Sequence, residues 1–129
     1  MNPVEALNKL HEKEGAQFGF FDRLAVVDKY AIGIEQELRY LQKSSGLFDR
    51  KAWLLLELNG ADAKNFLQGM VSADLEKIDI NQIQPAIICQ SKGKIQHILE
   101  IWRTSQRGWV ISSYPGEGFQ VANLLNRFH

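Results

Sequence analysis

Residues 60–74 read Gly-Ala-Asp-Ala-Lys-Asn-Phe-Leu-Gln-Gly-Met-Val-Ser-Ala-Asp, and residues 89–94 read Cys-Gln-Ser-Lys-Gly-Lys. Apolar residues in the first segment recur at the spacing of a helix that lies on a sheet, namely Ala63, Phe66, Leu67 and Met70. Asp62 suits the positively charged N-terminal end of such a helix. Gly93 predicts a turn between two strands in the second segment. The stretch from Gly60 to Lys94 therefore predicts a helix, a polar loop over residues 72–82 and a β-hairpin.

Two helices are predicted before this stretch. Asn2 and Pro3 indicate the start of the first helix, which should end at Gly15. Helical spacing of apolar residues predicts a second helix from Val27 to Lys43. Between them, the aromatic segment 16–21 is expected to pack on a neighbouring element.

Strands dominate the remaining prediction. A short and nearly continuous apolar run, Ala52 to Leu58, is typical of a central strand. Glycines at 93 and 108 separate three further strands, which are predicted over residues 85–89, 95–103 and 109–114. On the middle strand, Ile95, Leu99 and Ile101 are expected to face the core. A last helix should present Val121, Leu124, Leu125 and Phe128 on one face.

This order of elements predicts an α+β fold: an N-terminal helical arm is followed by a mainly antiparallel sheet with helices on one face. We place a helical lead-in at residues 1–48 and a compact sheet unit at residues 49–129. Alternatively, the two parts form a single domain. No internal repeat or low-complexity segment is visible.

The composition is that of an ordinary globular chain, with 129 residues, 45% of them hydrophobic and 23% charged. Fifteen basic residues balance fifteen acidic ones, so direct nucleic-acid binding is not expected. Because Cys89 is the only cysteine, an internal disulfide and a cysteine-rich zinc site are both excluded. The N-terminus lacks the pattern of a secretory signal, and no apolar run has membrane-spanning length. We expect a cytoplasmic protein.

The common catalytic and nucleotide-binding motifs are absent. His11, His97 and His129 lie far apart in the sequence, so no metal site is predicted. Cys89 is interpreted as a core residue rather than a nucleophile. Lys92 and Lys94 flank a glycine and could attract a carboxylate or phosphate, although a solvated hairpin tip would explain them equally.

Three segments resemble the N-terminal part of the glycine cleavage T-protein (aminomethyltransferase) family. They are Gly46-Leu47-Phe48-Asp49, the run from Gly60 to Gln68, and Ser72-Ala73-Asp74, and His11 with Gly15-Ala16 resembles the opening of that family. The Phe-Leu-Gln-Gly run at 66–69 and the Cys-x-x-Lys-Gly-Lys run at 89–94 are more similar to YgfZ-type folate-binding proteins. The resemblance implies tetrahydrofolate as ligand. For the YgfZ type it also implies a role in iron–sulfur enzyme maintenance and tRNA modification.

Departures from the T-protein pattern argue against its chemistry. The Asp-Asp pair of that family, whose second aspartate acts in catalysis, corresponds here to His97-Ile98. An isoleucine can neither accept a proton nor a hydrogen bond. We therefore predict no catalytic residue and no metal ligand, and an enzyme activity is not favoured. The Lys-Gly-Cys motif of YgfZ-type relatives is also absent, so we expect either a truncated domain or a reduced protein.

The resemblance places the ligand surface around five residues: Asp74, Cys89, Gln90, Lys92 and Lys94. Tetrahydrofolate or another small anion would bind there, with the two lysines on the folate carboxylates. One alternative is an interaction module that keeps the fold without a folate pocket and forms a homodimer, or binds a companion chain, through an exposed strand edge. The segment Phe18 to Phe21 could contribute to that interface. A second alternative is a partial aminomethyltransferase-like domain.

Overall fold

The computed structural model describes residues 2–21 and 23–128. The helices of this part of the chain are α1 (Pro3–Lys13), α2 (Ile34–Lys43), α3 (Ala63–Gln68) and α4 (Gly118–Asn126). Its strands are β1 (Ala16–Phe21), β2 (Leu24–Tyr30), β3 (Leu54–Asn59), β4 (Ile83–Cys89), β5 (Ile95–Arg103) and β6 (Gly108–Ser113). None of the described helices is long and apolar enough to span a membrane. The chain divides into two compact units, residues 1–52 and residues 53–129.

The first unit contains α1, a β-hairpin and α2. The side chain of Asn2 accepts a hydrogen bond from the amide of Val4 at 3.0 Å, so the helix start predicted from the sequence is confirmed. Strands β1 and β2 pair antiparallel, with Ala16 opposite Tyr30. The aromatic segment predicted to pack on a neighbour is therefore one strand of this hairpin.

Two predictions for the first unit were wrong. The lead-in is not only helical, because it includes the β1–β2 hairpin, and the second helix begins at Ile34 rather than Val27. Val26 and Val27 are β-branched and favour a strand. Gly33, which has a φ of +82°, separates that strand from the helix. The predicted domain boundary after residue 48 stays a prediction, since a compact unit need not fold alone.

The second unit is a four-stranded sheet in the order β3-β6-β5-β4, with every neighbouring pair antiparallel. One face of this sheet carries the core together with α3 and α4. The buried apolar residues are Leu67, Val71, Ala73, Leu75, Ile78, Ala86, Ile88, Leu99, Ile101, Trp109, Ile111, Val121 and Leu125. The opposite face, hereafter the outer face, includes Leu55, Ile98 and Trp102, which are 69%, 48% and 40% exposed. The α+β fold predicted from the sequence is confirmed.

Three details of the sheet differ from the prediction. β3 is an edge strand rather than a central one, because β6 lies between it and β5. Cys89 is exposed rather than part of the core, since Ala86 and Ile88 take the core side of the alternating strand. Ile95 is also exposed, at 61%, next to a register shift between Ile88 and Cys89.

The helices and the loop of the second unit also need small corrections. α3 ends at Gln68, before the predicted Met70, and the polar loop after it contains a single 3-10 turn, Leu75–Lys77. In α4, Val121 and Leu125 are buried as predicted, whereas Phe128 lies beyond the helix and is 62% exposed.

Candidate functional site

Gln68, the last residue of α3, holds the loop that follows it. Its side-chain amide donates to the carbonyl of Ala73 at 2.9 Å, and its side-chain oxygen accepts from the amide of Leu75 at 2.8 Å. Ser72 then pairs with β4: its amide donates to the carbonyl of Ile87 at 2.9 Å, and its hydroxyl oxygen accepts from the Ile87 amide at 3.0 Å. The loop of residues 72–75 is therefore fixed along the outer edge of β4.

Asp74 lies at the tip of this loop, and its carboxylate is already engaged. One oxygen accepts from the amide of Glu76 at 3.2 Å, which caps the 3-10 turn, and the other lies 3.1 Å from Nζ of Lys77. The hydrogen bond from Lys77 lowers the pKa of Asp74, and the bond from the Glu76 amide lowers it further. The carboxylate of Asp74 is thus ionised, and within this unit it caps the 3-10 turn Leu75–Lys77.

The other four predicted site residues lie at the end of β4 and in the β4–β5 turn. The amide of Gln90 donates to the carbonyl of Lys94, and the amide of Gly93 donates to the carbonyl of Gln90, both at 2.8 Å. Gly93 has a φ of +77°, which explains why glycine occupies the turn. Cys89, Gln90, Lys92 and Lys94 are all exposed.

The pairing of Ser72 with Ile87 places the 72–75 loop on the strand that ends in Cys89. Two sequence segments that are well separated in the chain therefore lie on one edge of the sheet, as the prediction requires. Among the described residues, however, no hydrogen bond or ion pair joins the side chains of the five predicted residues. Neither lysine of the turn has a carboxylate within ion-pair distance there, so both ammonium groups face solvent. Whether the five residues bind a ligand stays a prediction.

The two residues that replace the aspartate pair lie on opposite faces of β5. His97 is buried on the core face, where its Nδ1 lies 3.0 Å from a carboxylate oxygen of Glu117. Its Nε2 is buried and makes no hydrogen bond within the described residues. Ile98 lies on the outer face opposite Ile87 and is about half exposed. An alkyl side chain thus occupies the solvent-accessible position of the pair.

A buried polar cluster in the first unit was not predicted. His11 is buried, with Nδ1 2.7 Å from the hydroxyl oxygen of Tyr30 and Nε2 3.2 Å from a carboxylate oxygen of Asp49. Lys51 lies 3.6 Å from the same carboxylate and donates to the side-chain oxygen of Asn8 at 2.5 Å. Burial raises the pKa of Tyr30, and the nearby carboxylates of Glu37, Asp49 and Glu14 raise it further. His129, the third histidine of the sequence, lies outside the described residues.

This cluster had a signal in the sequence. His11 and Asp49 both belong to segments that resemble the T-protein family, but their spacing gives no indication that they meet. The described residues contain no group of three or more potential ligands that could hold a metal ion. The cluster ties α1, β2 and the 49–51 turn together, and we assign it a structural role.

A groove of about 600 Å³ in the second unit was also missed. It lies between the second half of β3, the loop into α3, and α4. Its charged lining residues are Glu57 and Asp62, and its apolar lining residues include Leu56, Leu58, Phe66 and Leu125. No local sequence signal indicated this groove, because its lining joins residues between positions 56 and 66 to residues between positions 122 and 128.

Comparison with known proteins identifies the relatives of this chain. The family described as the GCVT N-terminal domain matches residues 7–128. An aminomethyltransferase from Desulfitobacterium hafniense is 30% identical over 105 residues, which are 81% of this chain and 28% of that protein. An aminomethyltransferase from Prosthecochloris aestuarii is 33% identical over 121 residues, 94% of this chain and 31% of that one.

A solved structure has the same fold. The glycine cleavage system aminomethyltransferase T from Bartonella henselae superposes with a TM-score of 0.81 at 25% identity. The match covers 95% of this chain and 34% of that chain. The chain therefore spans about a third or less of the relatives named here. Because the family match extends over nearly all of its residues, the chain belongs to the GCVT N-terminal domain family.

Proposed function

We propose that this chain is a tetrahydrofolate-binding module that does not catalyse aminomethyl transfer by itself. Family membership supports the ligand class, since the T-protein transfers its one-carbon unit to tetrahydrofolate. The observation that carries the non-catalytic part is Ile98, which occupies the exposed face of β5 where the family pattern has an aspartate. Without a carboxylate there, the chain lacks the group that would act on the folate.

The binding surface in this proposal combines the β4–β5 turn with the outer face beside it. Lys92 and Lys94 are exposed and carry positive charge, which suits the glutamate carboxylates of a folate. Ile87 and Ile98 lie opposite each other on the outer face and offer apolar area to the ring system. Asp74 would contribute only at the margin, because Lys77 and the Glu76 amide already engage its carboxylate.

A biological role follows from the YgfZ-type features of the sequence. We propose maintenance of iron–sulfur enzymes, or a linked step in tRNA modification, as the context in which folate binding is used. The Phe66 to Gly69 run supports this choice. In the structure, Gln68 of that run fixes the loop beside β4 and so shapes one side of the proposed surface.

Calorimetry with 5-formyltetrahydrofolate and its triglutamate form tests the ligand. We expect the triglutamate to bind more tightly, and the double variant Lys92→Ala with Lys94→Ala to weaken its binding about tenfold. Each exposed ion pair contributes up to about 1 kcal/mol, and 1.4 kcal/mol corresponds to about tenfold. The matched control is Lys9→Ala with Lys13→Ala, which removes two exposed lysines from α1. Equal loss in both double variants, or no binding at all, would contradict this site.

A turnover assay tests the catalytic part. The protein is incubated with an aminomethyl-loaded carrier protein and tetrahydrofolate, and one-carbon-loaded folate is measured. We expect none above background, because position 98 has no proton acceptor. Product formation that is lost when the outer-face residues are substituted would instead favour the partial aminomethyltransferase.

A further inference from the structure

Arg103 ends β5 on the core face of the sheet, and the segment of residues 78–82 fixes its position. Its amide donates to the carbonyl of Gln82 at 3.1 Å, and its carbonyl accepts from the amide of Asn81 at 2.7 Å. In the side chain, Nη1 donates to the carbonyl of Ile78 at 2.8 Å. The same segment therefore holds the main chain and the guanidinium, so the charged group has a fixed place in the fold.

The guanidinium of Arg103 carries a charge that no carboxylate balances in the described part of the chain. An arginine stays protonated in a protein, and the ion pairs of the described residues do not include this one. Its Nε is buried and makes no hydrogen bond to a described residue. A buried charged donor without a partner costs more than a neutral one. This N–H group therefore gains most from an anionic acceptor.

A second buried donor belongs to the residue directly opposite Arg103. Trp109 pairs with Arg103 in the β5–β6 register, is 0% exposed, and has its ring centre 5.4 Å from the central carbon of the guanidinium. Its Nε1 is buried and also makes no hydrogen bond to a described residue. An indole N–H can only donate, and a buried tryptophan usually has an acceptor for it. One acceptor with negative charge would satisfy both neighbouring donors.

The donors define the chemistry of the ligand. A metal ion does not fit them, because guanidinium and indole N–H groups offer no lone pair. Ile78 already uses Nη1, so the edge formed by Nε and Nη2 remains, and this edge matches the two oxygens of a planar carboxylate. The side chain of Arg103 is half-buried, whereas Trp109 is fully buried, so a ligand reaches the indole along the guanidinium. Such access suits a small acid whose body stays toward solvent.

We propose that Arg103 and Trp109 bind the carboxylate group of a small organic acid. Nε and Nη2 of Arg103 donate to the two carboxylate oxygens as a fork, and Nε1 of Trp109 donates to the oxygen nearer the core. The ligand neutralises the guanidinium and gives both buried donors an acceptor. The site lies at the opposite end of β5 from the β4–β5 turn, so it does not depend on the proposed folate surface.

Nuclear magnetic resonance of the indole N–H groups tests the proposal on the whole chain. The sequence has three tryptophans, Trp53, Trp102 and Trp109, so the other two signals serve as internal controls. Sodium acetate is compared with sodium chloride at equal ionic strength, because salt screens exposed charges. We expect the Trp109 signal to shift downfield and saturate at millimolar acetate, and the Arg103 Nε–H signal to follow with the same dissociation constant. Neither signal should saturate with chloride.

Arg103→Lys is the test variant, since it keeps the charge and removes the planar fork. We expect it to bind acetate about tenfold more weakly or worse, whereas Arg107→Lys, the same change at an exposed position of the β5–β6 turn, should leave binding unchanged. Equal loss in the two variants would overturn the proposal, as would a Trp109 signal that does not saturate with acetate or moves equally with chloride. If Arg103→Lys does not fold, the wild-type titration decides alone, because unequal dissociation constants for the two signals would also overturn a shared site.

Discussion

Tyr30 and His11 show how single polar residues organise the first unit. His11 is the only buried residue among the described residues up to position 52, and both of its ring nitrogens have partners. A buried polar group that loses a partner costs about 1–3 kcal/mol, more than the net gain from forming the bond. The contact between Tyr30 and His11 should therefore matter more than its single hydrogen bond indicates.

We expect Tyr30→Phe to destabilise the protein by about 1–3 kcal/mol, because it leaves Nδ1 of His11 buried without a partner. Urea unfolding followed by circular dichroism measures the loss. Tyr40→Phe on α2 is the control, since Tyr40 is 54% exposed. If both variants unfold alike, the hydroxyl of Tyr30 does not hold His11.

The pH dependence of the same pair gives a second readout. The pKa of Tyr30 is raised from 10.0, first by burial and then by nearby carboxylates. A raised pKa means that the folded state keeps the proton longer, so this stabilisation is complete below pH 10.0 and is lost as pH rises through the folded pKa. The stability difference between wild type and Tyr30→Phe should therefore shrink at alkaline pH.

The pKa of Asp74 shifts in the opposite direction to that of Tyr30, so the effect of pH on stability is also opposite. Its pKa is lowered, chiefly by Lys77, so the ionised carboxylate stabilises the fold above the ordinary value of 3.8 and this stabilisation is lost as pH falls through the folded pKa. Asp74→Asn keeps a good cap for the 3-10 turn but loses the charge. We expect the variant to melt below wild type at pH 7 and together with it in acid. A constant difference in melting temperature across that range would show that the ion pair contributes nothing.

At the scale of elements, the sheet separates a packed face from an exposed one. Leu99 is 1% exposed on the core face of β5, and Leu55 is 69% exposed on the outer face of β3. We expect Leu99→Ala to cost about 2–5 kcal/mol through lost burial and a cavity. Leu55→Ala should stay within about 0.5 kcal/mol. Chemical denaturation of the two variants checks this pair, and a comparable cost at Leu55 would mean that the outer face is covered in solution.

The elements that the sequence predicted well are those with strong local patterns. β5 was predicted with its observed bounds, and the Asn2 cap and the glycine turn at 93 are confirmed, because each depends on residues close in sequence. The position of β3 in the sheet depends on which strand lies beside it. A leucine run can indicate burial, but it cannot show that β6 lies between β3 and β5.

The candidate sites also divide into those with a local sequence pattern and those that depend on residues far apart in the chain. The turn of residues 89–94 could be located from its glycine and lysines, although Cys89 was placed in the core because an apolar run does not reveal which face each residue takes. The His11 cluster and the β3 groove join residues far apart in the chain, and no local spacing encodes them. Ile98 was interpreted differently, because the expected loss of the catalytic aspartate came from a family resemblance and not from a local sequence pattern.

For the whole molecule, the distribution of buried residues is uneven. Every buried apolar residue that the structure describes lies between Leu67 and Leu125, inside the second unit. The first unit is held by α1, the hairpin, α2 and the polar cluster, without a buried apolar residue of its own in its described part. Since burial of apolar area is the main favourable term in folding, the two units should differ greatly in intrinsic stability.

We therefore expect a fragment of residues 53–129 to fold alone, while a fragment of residues 1–52 stays largely unfolded. An isolated hairpin is marginal in water, and two short helices without a core add little. The measurements are far-UV circular dichroism and urea unfolding of both fragments at equal concentration. A cooperative transition in the longer fragment and none in the shorter is the expected pair of results. If the longer fragment also unfolds without cooperativity, its core depends on residues before position 53, and the two compact units form one folding unit.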